Sequence, residues 1–481
     1  MNKRMLGHLF GVLLTIEAAL LLLPTAVAAV YREPVLPFLY TVAALLLVAI
    51  PLLMIRPKKN RSLYAREGFV CAAGSWILLS LFGALPFIFS GAIPNYVDAV
   101  FETVSGFTTT GASILSEIES LPRGILFWRS FTHWVGGMGV LVFMLAILPA
   151  DNSRAMHLLR AEVPGPQKGK IVPKLRQSAL ILYGIYLALT VAEVVALLIA
   201  GLPLYDATVN ALGTAGTGGF SVKNASIAGY GNPAAEWIIA VFMLLFGINF
   251  NLYFFLLVGR VRDALKSEEL RTYLILVLAA TGVITLNTFS LFDRFGDALR
   301  AAFFQTTSII STTGFVTENY ELWPTLSKVI LLVLTVIGAS AGSTAGGLKI
   351  ARVMLLVKSG LREIRHILRP RSVNVTRLDG EPIPDETVRS TGNYLIIWCL
   401  ILLCGAFLIS VDGFSVETTF TAALTCISNV GPGLGEIVGP VGNFAAFSSF
   451  SKIVLSLLML IGRLEIFPLL VFFMPSTWRR A

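Results

Sequence analysis

The sequence predicts an all-α polytopic membrane protein, and three observations predict it: a strongly apolar composition, long apolar runs separated by basic loops, and a short loop pattern repeated four times between those runs. The chain of 481 residues is 56% hydrophobic and only 14% charged, with a mean hydropathy of +0.79. These values lie far outside those of soluble globular chains. A net charge of +9 would point to nucleic acid in a soluble domain. Here the basic residues fall in short loops between apolar runs, with no aromatic-interleaved patch, so nucleic acid is excluded as a partner and the charge is read as topological. Cys71, Cys399, Cys404 and Cys426 sit in apolar surroundings without a CxxC pair or a Cys/His cluster. Free thiols and no structural metal are expected.

A bilayer core needs about 20 apolar residues per helix. Runs of that kind lie near residues 7–30, 37–55, 68–91, 124–149, 178–201, 234–258, 272–292, 328–357, 392–411 and 446–474, which predicts ten spans. The first could be mistaken for a signal peptide, since Lys3 and Arg4 precede it. It is long enough to span and no clear cleavage site follows, so it reads as a retained helix. Lys and Arg favour the cytoplasmic side, and they mark every second loop: Lys3 and Arg4; Arg56, Lys58, Lys59, Arg61 and Arg66; Lys168, Lys170, Lys174 and Arg176; Arg260, Arg262, Lys266 and Arg271. The loop from Lys358 to Arg389 and the tail Arg479–Arg480 fall on the same side, so both termini are expected in the cytoplasm.

The opposite loops repeat. "FETVSGFTTTGAS", "VNALGTAGTGGFS", "FFQTTSIISTTGF" and "TAALTCISNVGPG" align with Gly111, Gly218, Gly314 and Gly431 in register, at spacings of 107, 96 and 117 residues (218−111, 314−218, 431−314). An acidic residue, Asp98, Asp206, Asp297 or Glu417, and a modestly apolar stretch of about a dozen residues precede each glycine. Such a stretch is too short to span and predicts a re-entrant half-helix. Irregular backbone survives at membrane depth only where it is buried in protein or lines water, so four such loops are expected to converge on an aqueous pore. Glycine permits backbone angles that aim successive carbonyls at one axis, and a ring of carbonyls replaces the hydration shell of potassium. The bland alternative, ordinary Thr/Gly turns, is weakened by four copies in register.

Two further features bear on transport. "GASAGSTAGG", Gly338 to Gly347, is ten consecutive small residues inside an apolar run, which makes either a poor helix or a close-packing face. Charged residues within spans are functional candidates. Arg463 in "LIGRLEIFPLL" is the sharpest; Glu465, two positions on, should not face it on a straight helix and is expected to pair elsewhere. Glu17, Glu193, Asn249 and Asn251 read first as interhelical hydrogen-bonding groups. His133 reads as a packed core residue, since no second histidine stands at ligand spacing. "GSTAGGLK" lacks the spacing and strand of a phosphate-binding loop, and "GPGLGE" lacks those of a dinucleotide fingerprint.

Over nearly the whole chain, "TTTGAS", "GTGGFS", "STTGF" and "NVGPGLGE", with "HWVGGMGVLVFMLAILP" and "GSTAGGLK" in order between them, the sequence resembles the Trk/Ktr/HKT superfamily of potassium-uptake proteins, most closely the TrkH/TrkG type. The resemblance implies two N-terminal spans (1–66) and four tandem helix–pore-helix–filter–helix repeats around a central pore, at 67–165, 166–265, 266–385 with its cytoplasmic loop, and 386–481. It implies a filter of Thr109, Thr110 and Gly111; Gly216, Thr217 and Gly218; Thr312, Thr313 and Gly314; and Asn429, Val430 and Gly431, holding the transported potassium ion. It also implies a gate in the small-residue loop, with Gly338, Gly342, Ser343, Thr344, Gly346 and Gly347, and with Arg463 projecting toward the permeation path. The implied setting is a homodimer in the inner membrane, surrounded by lipid and regulated by a cytosolic nucleotide-binding subunit of the TrkA type. The basic loop Lys358–Arg389 is either its docking face or plain topological charge. No cofactor is expected in the chain. The fourth loop departs from the threonine pattern, whereas Gly111 is kept where sodium-preferring relatives carry serine, so potassium is favoured. A sodium-permeable pathway of the same fold, a non-conducting assembly subunit and an intramembrane enzyme are the alternatives; the last has no nucleophile–base pair or HExxH to support it.

Overall fold

The computed structural model describes residues 3–55, 65–139, 175–371 and 375–478. The expected span end at 140–149, the basic residues Arg56, Lys58, Lys59, Arg61, Lys168, Lys170 and Lys174, and the tail Arg479–Arg480 lie outside them. Among the described residues, Lys3–Val30, Leu36–Met54, Arg66–Phe89, Gln177–Ile199, Glu268–Leu291 and Asp385–Asp412 are each apolar and long enough to cross a membrane. The chain is therefore a multi-pass helical membrane protein. The N-terminal helix Lys3–Leu20 packs along Leu36–Met54. Gly11 permits that approach, since a Cβ there would stand 3.0 Å from the Leu53 nitrogen.

After each of the last four long helices comes a short buried one: Tyr96–Phe107, Leu204–Gly216, Phe295–Ile310 and Val416–Ser428. At 1.5 Å per residue they measure about 18–24 Å, less than a bilayer core. The acidic residues flagged in the sequence, Asp98, Asp206, Asp297 and Glu417, sit in their first turns, where a negative charge complements the helix dipole. Side-chain oxygens of Asn95 and Ser415 cap two of the N-termini. The C-terminal halves are buried, so the electronegative carbonyl ends point into the protein.

The returning helices differ from expectation. The runs at 234–258, 328–357 and 446–474 are not continuous spans. Pro233–Phe246 and Phe250–Leu257 meet at a 90° bend. Thr325–Ile337 stops at Gly338, and helix resumes only at Ile350–Leu368. Ser449–Arg463 is separated from Phe467–Phe473 by Glu465 and Ile466, both at positive φ. Arg123–Gly137 ends likewise at Met138. Hydropathy reports composition and is blind to backbone continuity; the breaks fall where small residues let the chain press on the short helices. A Cβ on Gly136 would overlap the Phe107 carbonyl, and one on Gly462 the Ile427 carbonyl.

Candidate functional site

All four short helices end in the same way. Thr109, Thr217, Thr312 and Asn429 take up left-handed conformations, with φ of 56°, 54°, 57° and 55°. Each donates its N–H three residues back, to the carbonyls of Gly106, Thr214, Ile309 and Cys426. The next residue, Thr110, Gly218, Thr313 or Val430, donates five residues back, to Ser105, Gly213, Ser308 and Thr425. This is the Schellman termination, in which glycine is the usual left-handed residue. A glycine with positive φ follows in every loop: Gly111, Gly219, Gly314 and Gly431.

That pattern moves the second loop by one residue. The sequence alignment on Gly218 is off: the residue equivalent to Gly111 is Gly219, and Gly216 is the last residue of its helix. The consecutive glycines of "GTGG" make the two registers indistinguishable by composition. Backbone angles and hydrogen bonds separate them.

The four loops close on one another in chain order. A Cβ on Gly111 would overlap the Gly218 carbonyl oxygen, one on Gly219 that of Thr313, one on Gly314 that of Val430, and one on Gly431 would lie 2.6 Å from that of Thr110. Each glycine thus abuts the carbonyl of the next loop, and the fourth returns to the first. Thr110, Thr217, Thr312, Thr313, Asn429 and Val430 are buried. Asn429 Nδ2 donates to Thr110 Oγ1 at 2.9 Å and to the Met459 carbonyl at 2.9 Å, tying the fourth loop to the first.

The non-helical stretch Gly338–Lys349 lies against this ring. Ser340 N–H donates to the Gly247 carbonyl, Phe250 N–H to the Gly342 carbonyl, and Thr344 Oγ1 to the Phe246 carbonyl at 3.2 Å. The stretch is therefore seated in the break of the Pro233–Leu257 pair. Glu269 accepts from Ala341 N–H at 2.6 Å, and Gly346 N–H donates to Thr312 Oγ1 at 2.7 Å. Ser343 Oγ turns back to the Ser340 carbonyl, and Gly347 packs against Gly338. Arg463 closes the other side: Nη1 donates to the Thr344 carbonyl at 2.8 Å, and Nη2 to those of Gly136 at 2.6 Å and Gly137 at 2.8 Å. A cavity of about 90 Å³ lies against Gly346, Gly347, Lys349, Gly462 and Arg463.

The other flagged residues have defined places. Glu465 pairs with Arg352 at 2.6 Å. His133 is packed on Phe220, ring centroids 4.1 Å apart, with Nδ1 2.7 Å from the Gly106 carbonyl. Asn249 caps its helix through Asn251 N–H and stands against Gly342. Glu17, fully buried, accepts no hydrogen bond from any described residue, so the interhelical bond expected of it is not seen. Glu102 and Arg129, not among the candidates above, form a buried ion pair at 2.6 Å. Both are charges in apolar runs, the signal that singled out Arg463.

A polytopic helical chain that turns four buried helix ends and four strained loops onto one ring is a membrane ion-transport protein in build. Comparison with known proteins agrees. Residues 38–480 match the family described as "TrkH: Cation transport protein", and the chain belongs to that family. Relatives include "Trk system potassium uptake protein TrkH" of Salmonella typhimurium, 37% identical over 486 residues with both chains covered completely, and the TrkG protein of Escherichia coli K12, 31% identical with 99% of each covered. The structure of "the Potassium Transporter TrkH from Vibrio parahaemolyticus" superposes over 100% of both chains with a TM-score of 0.89 and 33% identity. These are transport proteins, not enzymes.

Proposed function

We propose that this protein takes up potassium across the cytoplasmic membrane through the ring of four loops. The observation that carries the reading is the cyclic closure of Gly111, Gly219, Gly314 and Gly431 on the carbonyls of Gly218, Thr313, Val430 and Thr110. In this reading the filter comprises Thr109–Gly111, Thr217–Gly219, Thr312–Gly314 and Asn429–Gly431, whose main-chain oxygens stand in for water around a dehydrated ion. The four short helices are pore helices whose C-terminal dipole ends favour a cation ahead of them. The chain divides into two leading helices and four pore repeats with the boundaries given above. The membrane potential drives inward flux, worth about 2.3 kcal/mol per charge per 100 mV.

Gly338–Gly347, held by Arg463, Glu269 and Thr312, is the gate under the filter. Regulation comes from a cytosolic nucleotide-binding subunit of the TrkA type acting on a homodimer with cytoplasmic termini in the inner membrane. That the relatives are named as parts of a Trk system supports a multi-component assembly. The helix Ile350–Leu368 leaves Leu361, Ile364 and Ile367 exposed beside Arg365, which supports docking there.

Rubidium uptake by liposomes carrying the purified chain tests the reading, with and without Gly314→Ser. Uptake that excludes sodium in the wild type and admits it in the variant is the expected result. A wild-type chain that passes both ions equally overturns it.

A further inference from the structure

Outside the ring, each loop hands one more carbonyl to a neighbour. Two residues beyond the ring glycines stand Ser113, Ser221, Val316 and Gly433. The Ser113 carbonyl accepts from Phe444 N–H at 2.8 Å, that of Val316 from Ala228 N–H at 3.2 Å, that of Gly433 from Tyr320 Oη at 3.1 Å, and that of Ser221 from Arg129 Nη1 at 3.2 Å. Phe444 follows the fourth loop, Arg129 the first, Ala228 the second and Tyr320 the third. Each loop is thus pinned by the unit before it in cyclic order, which makes a second closed ring of contacts around the first.

Three of these seams use neutral donors. The seam between the first and second loops uses a guanidinium, 3% exposed, lying 3.5 Å from the Phe220 ring centroid and bound by Nε to Glu102 Oε1 at 2.6 Å. Glu102 also takes Ser113 Oγ at 3.0 Å and Ile114 N–H at 2.9 Å. One ion pair therefore grips the outward limbs of both loops. Seven residues before each left-handed residue the chain has Glu102, Asn210, Gln305 and Ala422. Asn210 and Gln305 hold hydroxyls of their own loops, Ser221 at 3.2 Å and Thr317 at 3.4 Å. A buried ion pair is no better for stability than well-packed apolar groups, so stability alone does not call for a charge at this position. What charge-assisted bonds add over neutral ones is strength and fixed geometry.

We propose that the Glu102–Arg129 pair is a specificity-determining positioning element: it fixes the separation of the first and second loops and with it the dimensions of the ring. The proposal rests on reading the ring as the ion filter. Because the pair is neutral overall, it does this without placing net charge beside a permeating cation.

The test is competing rubidium and sodium uptake by the full chain in liposomes. Glu102→Gln leaves Arg129 unpaired; total uptake falls and the rubidium preference drops about tenfold, the equivalent of one charge-assisted hydrogen bond. The double variant Glu102→Gln with Arg129→Met carries no unpaired charge; its uptake recovers and its preference does not. Ser113→Ala, which removes the hydroxyl bond to Glu102 and the acceptor of Leu115 N–H but leaves the ion pair, shifts the preference in the same direction by less, and it decides the matter if the charge variants fail to fold. A double variant with wild-type preference, Glu102→Gln within twofold of wild type or, where the charge variants fail to fold, Ser113→Ala within twofold of wild type overturns the proposal, while a selective wild type leaves the filter reading standing. A wild type without preference sinks both.

Discussion

Replacing Arg463 by glutamine tests the proposed gate most directly. The guanidinium bridges two segments, the Thr344 carbonyl in the loop and the Gly136 and Gly137 carbonyls at the end of the first returning helix. Of these three bonds, the one to Thr344 crosses to the loop. A hydrogen bond from a charged group contributes about 1.5–3 kcal/mol, so its loss shifts the balance between seated and released loop by about 10- to 150-fold. The bonds from Ser340, Gly346 and Ala341 remain, so the loop loosens without losing its seat. The expected result is faster rubidium uptake by liposomes lacking any partner. Arg463→Lys keeps the charge but offers no planar fork; its uptake should also rise, by less. Were the residue a purely electrostatic barrier, the lysine variant would match wild type. Folded Arg463→Gln protein with uptake at or below wild type refutes the latch.

Gly219→Ala should abolish rubidium preference over sodium as thoroughly as Gly314→Ser, because its Cβ would overlap the Thr313 carbonyl at a φ of 76°; retained preference would put the second loop back in the Gly218 register. Thr109→Gly removes a left-handed non-glycine residue and should leave thermal stability in detergent equal or higher by about 0–1 kcal/mol, while slowing uptake because a hydroxyl is lost from the ring. Lys223 and the Asn224 amide hold the exposed Glu119 carboxyl below its usual range. A lowered folded-state value means stabilisation that is present above the ordinary carboxylate pKa and lost as pH falls through the lowered one. The stability difference between wild type and Glu119→Gln should therefore be measurable at neutral pH and vanish in acid.

How far the sequence was legible follows from what each signal encodes. Apolar runs encode burial or membrane, and the first long helical span of each unit appears where they place it. The returning helices share that composition but carry Gly137, Gly247, Gly338 and Gly462 at or near their breaks, and a glycine in an apolar run reads equally well as a packing face. The acid in front of each loop was readable as a helix start because Asp or Glu in a first turn has a local electrostatic reason. The register of the second loop was not, since two adjacent glycines carry no mark of which one turns. Glu102 and Arg129 are 27 residues apart, so their partnership exists only in three dimensions, although each was visible alone as a charge among apolar neighbours.

The left-handed residues carry the strongest argument that the ring is functional. A Schellman termination favours glycine, and a β-branched residue there is strained by about 1–2 kcal/mol. Three of the four loops nonetheless use threonine and the fourth asparagine. If these ends served only to stop a helix, glycine would serve better at each. The side chains instead have work at the base of the loops: Thr312 Oγ1 accepts from Gly346 of the non-helical stretch, Asn429 binds Thr110 and Met459, and Thr217 Oγ1 turns to the Gly216 carbonyl. Thr109 Oγ1 is buried with no hydrogen-bond partner among the described residues. Threonine strain kept at three of the four equivalent positions, with an asparagine that tolerates the conformation at the fourth, is not explained by helix termination and is the kind of local cost that accompanies a functional site.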